Sequence, residues 1–71
     1  SILGFPWVGY KEYADGVRKE YSIYPDIIYK PGRRKVLQHF LAMDNIFKTS
    51  YFKEKFEEQA KQNIQKELQL L

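Results

Sequence analysis

The sequence predicts an all-α fold, a single helical unit over residues 1–71. Apolar residues recur at steps of three and four, which is the period of a helix with one buried face. Three prolines and four glycines separate these periodic stretches, and no repeat or Gly/Ser linker divides the chain further. With 71 residues, about half of a typical ~150-residue domain, the chain forms one small domain or part of a larger one.

The first of three main helices is predicted at about residues 6–22. Pro6 suits the first turn of a helix. The predicted buried face follows at helical spacing: Trp7, Tyr10, Ala14, Val17 and Tyr21. Gly9 and Gly16 lower the helix propensity of this stretch, so we expect tertiary packing to stabilise it.

A short helical turn and a second helix are predicted next. Pro25 disfavours a helical conformation at the residue before it, and a turn near residues 25–29 is expected to end at Pro31. The second helix is predicted at about residues 31–43. Its apolar face consists of Val36, Leu37, Phe40 and Leu41.

The third helix is predicted at about residues 50–70, after a loop that places Ile46 and Phe47 in the core. Thr49 or Ser50 can cap its first turn. Its apolar stripe recurs at steps of four: Phe52, Phe56, Ala60, Ile64 and Leu68. Because a step of four overshoots one turn by ~40°, the stripe winds around the helix and suits oblique packing against several neighbours.

The composition excludes several classes of protein. The chain has no cysteine, which excludes disulfide frameworks, zinc ribbons and thiol catalysis and favours a reducing, cytoplasmic location. No apolar run approaches the ~20 residues of a membrane span, so no membrane partner is expected. The net charge is +3, but acidic residues interrupt the basic face, so nucleic acid is not expected as a partner.

Residues that could carry catalysis are few. His39 is the single histidine, and no carboxylates lie near it at metal-ligand spacing. Glu54, Glu57 and Glu58 lie among lysines and are predicted to form a solvated helix surface. No nucleophile lies beside a candidate base, and no glycine-rich phosphate loop is present. We therefore predict no catalytic residue, no metal ligand and no cofactor in this chain.

A basic segment, residues 30–35, is the best polar cluster in the sequence. It reads Lys-Pro-Gly-Arg-Arg-Lys at the predicted start of the second helix, where backbone N–H groups and cationic side chains favour an anion. A phosphate-containing small molecule is the ligand that this interpretation predicts. The alternative is a solvated basic turn in which one arginine pairs with Glu20 or Asp26.

A longer pattern covers most of the chain. Its main part is the run Arg18-x-Glu20-Tyr21, Pro25-Asp26-x-x-Tyr29-x-x-Gly32-Arg33 and Leu37-x-x-Phe40-Leu41. The opening Ser1-Ile2-Leu3-Gly4-x-Pro6 and the ending Ala60-x-x-Asn63-Ile64-x-x-Glu67-Leu68 extend it. This pattern resembles the C-terminal part of a bacterial family of predicted metal-dependent phosphohydrolases of the HD superfamily.

The resemblance implies a parent protein that is a larger helical bundle of the HD type and that hydrolyses phosphate esters. In that family divalent metals are bound by an H…HD…D ligand set and activate water. This chain contains no His-Asp dipeptide, and the last aspartate ligand would lie just upstream of Ser1. The resemblance therefore implies a divalent metal for the parent and an inactive C-terminal fragment here.

The resemblance also implies residues that could line the substrate pocket of the parent and contact an anion. They are Arg18, Tyr21, Tyr29, Gly32 and Arg33. The alternative is structural: Arg18 and Arg33 pair with Glu20 or Asp26 and lock the first helix against the second.

The aromatic content predicts a partner. Aromatic residues make up 17% of the chain, and each can bury ~150–250 Å². Six lie in the first helix and its flanks, and we expect some of them to form an exposed patch: Phe5, Trp7, Tyr10, Tyr13, Tyr21 and Tyr24. The missing N-terminal part of the parent or a second copy of the chain would cover it. Two other functions stay open, a non-enzymatic helical interaction module and a small anion- or nucleic-acid-binding domain.

Overall fold

The computed structural model describes residues 2–71 and shows an all-α fold. A short 3₁₀ helix, Ile2–Gly4, is followed by α1 (Trp7–Glu20), α2 (Asp26–Ala42) and α3 (Ser50–Leu70). No strand occurs within the described residues. None of these helices is long and apolar enough to cross a membrane.

Helix α1 is two residues shorter at its C-terminus than predicted. It begins after Pro6, which is its N-cap, and ends at Glu20. The guanidinium of Arg18 donates to the carbonyl oxygens of Tyr21 and Tyr24, at 3.1 and 3.0 Å. These bonds hold the chain in the turn that leaves the helix, so the helical path does not continue to residue 22.

The prediction of a separate turn at residues 25–29 and a helix that starts at Pro31 is wrong. One helix, α2, runs from Asp26 to Ala42 and contains Pro31. The Pro25 carbonyl accepts the N–H groups of Ile28 and Tyr29 at 2.9 Å, so this helix begins one turn earlier. Pro31 removes the hydrogen bond to the carbonyl of Ile27, and its ring crowds that carbonyl. Because the Ile27 side chain is 82% exposed, water has access to that part of the helix.

The predicted bounds of the third helix are confirmed, since α3 spans Ser50–Leu70. Thr49 is its N-cap, and its Oγ1 accepts the N–H of Phe52 at 3.3 Å. The side-chain oxygen satisfies one of the N–H groups that a helix N-terminus leaves unpaired.

The core lies where the three long helices meet. Its buried members are Tyr10 and Ala14 of α1, Leu37 of α2 and Ile64 of α3. Around them pack partly buried apolar residues from every element: Leu3, Trp7, Tyr13, Phe40, Leu41, Ile46, Leu68 and Leu71. The predicted buried faces are therefore confirmed at their centres.

The same apolar faces become exposed towards their ends. Val36 is 46% exposed and Tyr21 50%, although both belong to predicted buried faces. On α3 the stripe is buried at Ala60 and Ile64, whereas Phe52 is 44% exposed. The 3₁₀ helix covers the middle of α3 so closely that a Cβ on Gly4 would lie 2.5 Å from the Cβ of Phe56.

Glu57 is buried, and the prediction of a solvated surface at this position is wrong. Its carboxylate accepts the backbone N–H groups of Ile46 and Phe47 at 2.8 and 3.0 Å. Desolvation raises the pKa of Glu57, but these two bonds and Lys61 outweigh it and hold the pKa below its usual range. The carboxylate therefore fastens the loop before α3 to the helix and brings Ile46 to the core, as predicted.

Candidate functional site

Arg33 and Glu67 form a buried ion pair between α2 and α3. The Nε atom of Arg33 lies 2.7 Å from Oε2 of Glu67, and Nη2 lies 3.0 Å from Oε1. Their side chains are only 9% and 8% exposed. The partner of Arg33 is thus neither Glu20 nor Asp26, because α3 places a carboxylate directly opposite this guanidinium.

Two tyrosines of α1 complete this cluster. The hydroxyl of Tyr10 donates to Oε1 of Glu67 at 2.5 Å, and the ring of Tyr13 faces the guanidinium of Arg33 at 5.7 Å. Burial and then the bond to Glu67 raise the pKa of Tyr10. Burial lowers the pKa of Arg33, but Glu67 more than offsets this and the pKa is raised. At neutral pH the arginine is charged and Tyr10 keeps its proton.

Arg18 is held at the corner between α1 and α2. Besides the two carbonyls of the turn, its Nη2 atom lies 3.0 Å from Oδ1 of Asp26. Its guanidinium also stacks over the ring of Tyr29, 4.3 Å from the centroid. The structural alternative is therefore confirmed for Arg18, which pairs with Asp26 and joins the first helix to the second.

Tyr29 lies between the two arginines and separates two clefts. Burial raises the pKa of its hydroxyl. On one side, Arg18 and Asp26 belong to a cleft of about 280 Å³ that also includes Lys11 and Asp15. Lys11 and Asp15 form their own ion pair at 2.6 Å, so the charged groups of this cleft neutralise one another.

On the other side of Tyr29 runs a larger groove of about 580 Å³ between α1 and α2, the α1–α2 groove. It is lined by Tyr13, Val17, Glu20, Tyr21, Tyr24, Ile28, Tyr29, Gly32, Arg33 and Val36. The structure thus brings four of the five predicted site residues together, Tyr21, Tyr29, Gly32 and Arg33. Arg18 lies across Tyr29 in the smaller cleft.

The walls of the α1–α2 groove are apolar and open to solvent. Tyr21, Tyr24 and Ile28 are 50%, 47% and 58% exposed. Beyond them, Ile23 and Ile27 are almost fully exposed at the helix corner. Part of the predicted aromatic patch therefore exists here, whereas other members lie elsewhere: Tyr10 is buried, Trp7 and Tyr13 are half-buried, and Phe5 is exposed beside the 3₁₀ helix.

The basic segment at residues 30–35 does not lie at a helix N-terminus. Because α2 begins at Asp26, these residues occupy its second and third turns, where backbone N–H groups bond within the helix. Apart from the neighbouring residues and backbone of α2 itself, no atom lies within 4 Å of the position that a Cβ on Gly32 would take. An anion contact through the side chains of this segment stays a prediction.

The residues do not fit the divalent metal that the resemblance implies for the parent. Within residues 2–71 no three His, Asp or Glu side chains come together as a metal site would require. His39 lies on the exposed face of α2, next to Phe40. We therefore assign no metal ligand and no metal-dependent step to this chain.

Sequence reasoning did not predict that three polar residues of α3 are buried, namely Glu57, Asn63 and Glu67. Asn63 donates to the carbonyls of Leu3 and Phe5, at 3.0 and 2.7 Å, and so ties the N-terminal segment to α3. A signal was present, since these positions share the helix face of Ala60 and Ile64 at steps of three and four. Polar residues within an apolar stripe indicate buried hydrogen bonds.

In comparisons with protein-family models, curated proteins and solved structures, nothing matches this chain.

Proposed function

We propose that this chain is the C-terminal helical region of a protein that resembles the metal-dependent HD-superfamily phosphohydrolases. In this proposal the metals and their ligands belong to the preceding part of the parent, which hydrolyses phosphate esters. The 71 residues supply packing surface and one wall of the substrate pocket. By themselves they are inactive.

The observation that carries the proposal is that the residues of the matching pattern contact one another. Arg18 binds the carbonyl of Tyr21, pairs with Asp26 and stacks on Tyr29. These contacts join the end of α1 to the start of α2, which gives a physical reason for a family to retain these residue types.

The residues in the C-terminal part of the pattern also form contacts within the fold. Glu67 is the partner of Arg33 and Tyr10, and Asn63 binds the segment Leu3–Phe5. The pattern therefore includes buried polar contacts that hold the helices together as well as apolar positions. These contacts within the chain are the observations on which the proposal relies.

A phosphatase assay on two proteins tests the proposal. The first is the complete product of the gene that encodes this chain, and the second is the isolated 71-residue chain. With Mn²⁺ or Mg²⁺ and a panel of phosphate monoesters, we expect hydrolysis by the first and none by the second. Hydrolysis by the isolated chain that His39→Ala abolishes would contradict the proposal, as would a complete product without hydrolytic activity.

The second candidate is a non-enzymatic helical interaction module. The observation that favours it is the exposure of Tyr21, Tyr24 and Ile28 in the α1–α2 groove, because exposed apolar patches mark interaction sites. The two candidates differ in what the complete gene product contains. The first requires an H…HD…D ligand set on the same polypeptide, and the second does not.

A further inference from the structure

The α1–α2 groove has the size and the lining of a site for a small molecule. Its volume of about 580 Å³ lies within the range of ~300–1,000 Å³ that is usual for ligand pockets in proteins. Its walls are mainly apolar and aromatic, with Val17, Ile28 and Val36 among tyrosine rings. Because such pockets select their ligands through a few polar groups, the charges and rings of the groove indicate which ligand fits.

The charges of the groove favour a cation. Among the described residues that line it, only Glu20 and Arg33 are charged. Glu67 neutralises Arg33 through two hydrogen bonds. Glu20 is exposed in the last turn of α1 and forms no ion pair within residues 2–71. One unpaired carboxylate therefore remains in the lining.

The aromatic rings of the groove also favour a cation. Four tyrosines line it: Tyr13, Tyr21, Tyr24 and Tyr29. Guanidinium groups of the chain already lie over the first and the last of these rings, whereas none of the described cations lies over Tyr21 or Tyr24. The centroids of these two rings are 6.3 Å apart, and both side chains are about half exposed. Since a ring attracts a cation within ~6 Å of its centroid, one cation can contact both rings.

The lining selects a quaternary rather than a primary ammonium. A primary ammonium carries three N–H donors, and burying donors without acceptors is costly. The groove offers one unpaired carboxylate, and most of its other groups are apolar or aromatic. A quaternary ammonium has no N–H donor, and its methyl groups suit an apolar surface. Aromatic rings are the groups by which proteins recognise such ions.

We infer that the α1–α2 groove binds a small quaternary ammonium ion. The cation lies between the rings of Tyr21 and Tyr24, and the carboxylate of Glu20 balances its charge. The apolar substituents of the ion lie against Ile28 and Val36. None of these contacts involves a phosphate or a metal, so the site goes beyond the proposed function and does not depend on it.

Three molecules of similar shape and different charge test the inference. The first is choline, and the second is its neutral carbon isostere, in which a tert-butyl group replaces the trimethylammonium group. The third is the anion tert-butylacetate. Amide chemical shifts of the 71-residue chain are followed as each molecule is added. We expect choline to bind at least about fivefold more tightly than the carbon isostere, because only the cation is attracted by the rings and the carboxylate.

Two pairs of variants assign the binding to the groove. Glu20→Gln removes the charge at nearly constant shape and is expected to weaken choline about threefold. Its matched control is Glu12→Gln, because Glu12 is an exposed glutamate of α1 that does not line the groove. Tyr24→Leu replaces a ring by an aliphatic side chain and is also expected to weaken choline about threefold. Its control is Tyr51→Leu, because Tyr51 is exposed on α3 and lies outside the groove.

The variants in the groove are expected to fold. Arg18 binds the backbone carbonyl of Tyr24, so Tyr24→Leu keeps this bond. Glu20 is exposed and unpaired, so Glu20→Gln removes no contact that holds the helices together. Helical circular dichroism checks both variants. Glu20→Gln should also leave the affinity for the neutral isostere unchanged, which separates a loss of charge from a loss of fold.

Three results would overturn the inference. The first is that choline at millimolar concentration changes no amide shift in the groove. The second is that the neutral isostere or tert-butylacetate binds as tightly as choline, and preference for tert-butylacetate would support the anion that the sequence predicts. The third is that Glu20→Gln and Glu12→Gln change the binding equally. The phosphatase assay on the complete gene product uses none of these molecules, so the two proposals fail separately.

Discussion

Arg33 of α2 and Glu67 of α3 form a bidentate ion pair that is almost excluded from solvent. The same carboxylate accepts the hydroxyl of Tyr10 in α1, so one side chain joins all three helices. A buried pair of this kind contributes little net stability compared with apolar packing, but the loss of one partner is costly. This asymmetry makes the fold sensitive to a change of charge at Glu67.

Glu67→Gln is predicted to destabilise the chain strongly. The substitution leaves the buried guanidinium of Arg33 without its anion, and breaking a buried pair costs about 3–5 kcal/mol. The midpoint of urea unfolding measures the loss. Glu58→Gln is the control, because Glu58 is exposed and surface changes are usually within about 0.5 kcal/mol. Equal stability of the two variants would contradict the buried pair.

Glu57 is predicted to make stability depend on acid pH. Its pKa is lowered in the folded chain, so its contribution is fully present above the ordinary glutamate pKa of about 4.3. That contribution is lost as the pH falls through the lower folded-state pKa. The free energy of unfolding, measured from pH 7 to pH 2, should therefore fall more steeply for the natural chain than for Glu57→Gln. Parallel curves would show that Glu57 is solvated.

Replacing glycine by alanine is predicted to raise stability at two positions and to lower it at a third. Gly16→Ala and Gly32→Ala should each raise the free energy of unfolding by about 0.5–1 kcal/mol, because both are helical and open. Gly4→Ala should lower it by about 1–3 kcal/mol, because its Cβ would lie 2.5 Å from that of Phe56. Thermal unfolding of the three variants distinguishes the signs. A stabilising Gly4→Ala would contradict the packing of the 3₁₀ helix on α3.

Pro31→Ala is predicted to stabilise α2. The substitution restores the N–H that bonds to the carbonyl of Ile27, and alanine is about 3 kcal/mol more favourable than proline inside a helix. Greater freedom of the unfolded chain offsets about 0.4–1 kcal/mol of this. Pro6→Ala serves as a comparison, since Pro6 is an N-cap outside α1. A destabilising Pro31→Ala would support the break at Pro31 that the sequence suggests.

The fold was predictable where local sequence determines it. The period of Tyr10 and Ala14 in α1, and of Ala60 and Ile64 in α3, identified the faces that meet in the core. Thr49 identified the start of α3, because an N-cap side chain accepts the N–H of a residue only three positions further along the chain. Pro31 misled the prediction, because a proline near the start of a solvent-accessible helix removes one hydrogen bond without ending the helix.

The partners of the buried polar residues could not be predicted from the sequence. Glu67 has its partners at Arg33 and Tyr10, 34 and 57 residues away, and Asn63 binds carbonyls that are 60 and 58 residues away. A local sequence pattern does not indicate which distant residue will contact a given carboxylate. The pattern that resembles the phosphohydrolase family includes Arg33, Asn63 and Glu67, but only the structure shows that Glu67 and Arg33 form one contact.

The intact mass of the polypeptide that carries this chain in its own cells, compared with its gene, tests the central claim most directly. The proposal predicts a polypeptide longer than 71 residues, whose preceding segment contains an H…HD…D ligand set. A mass equal to that of the 71 residues, or a preceding segment without those ligands, would contradict it.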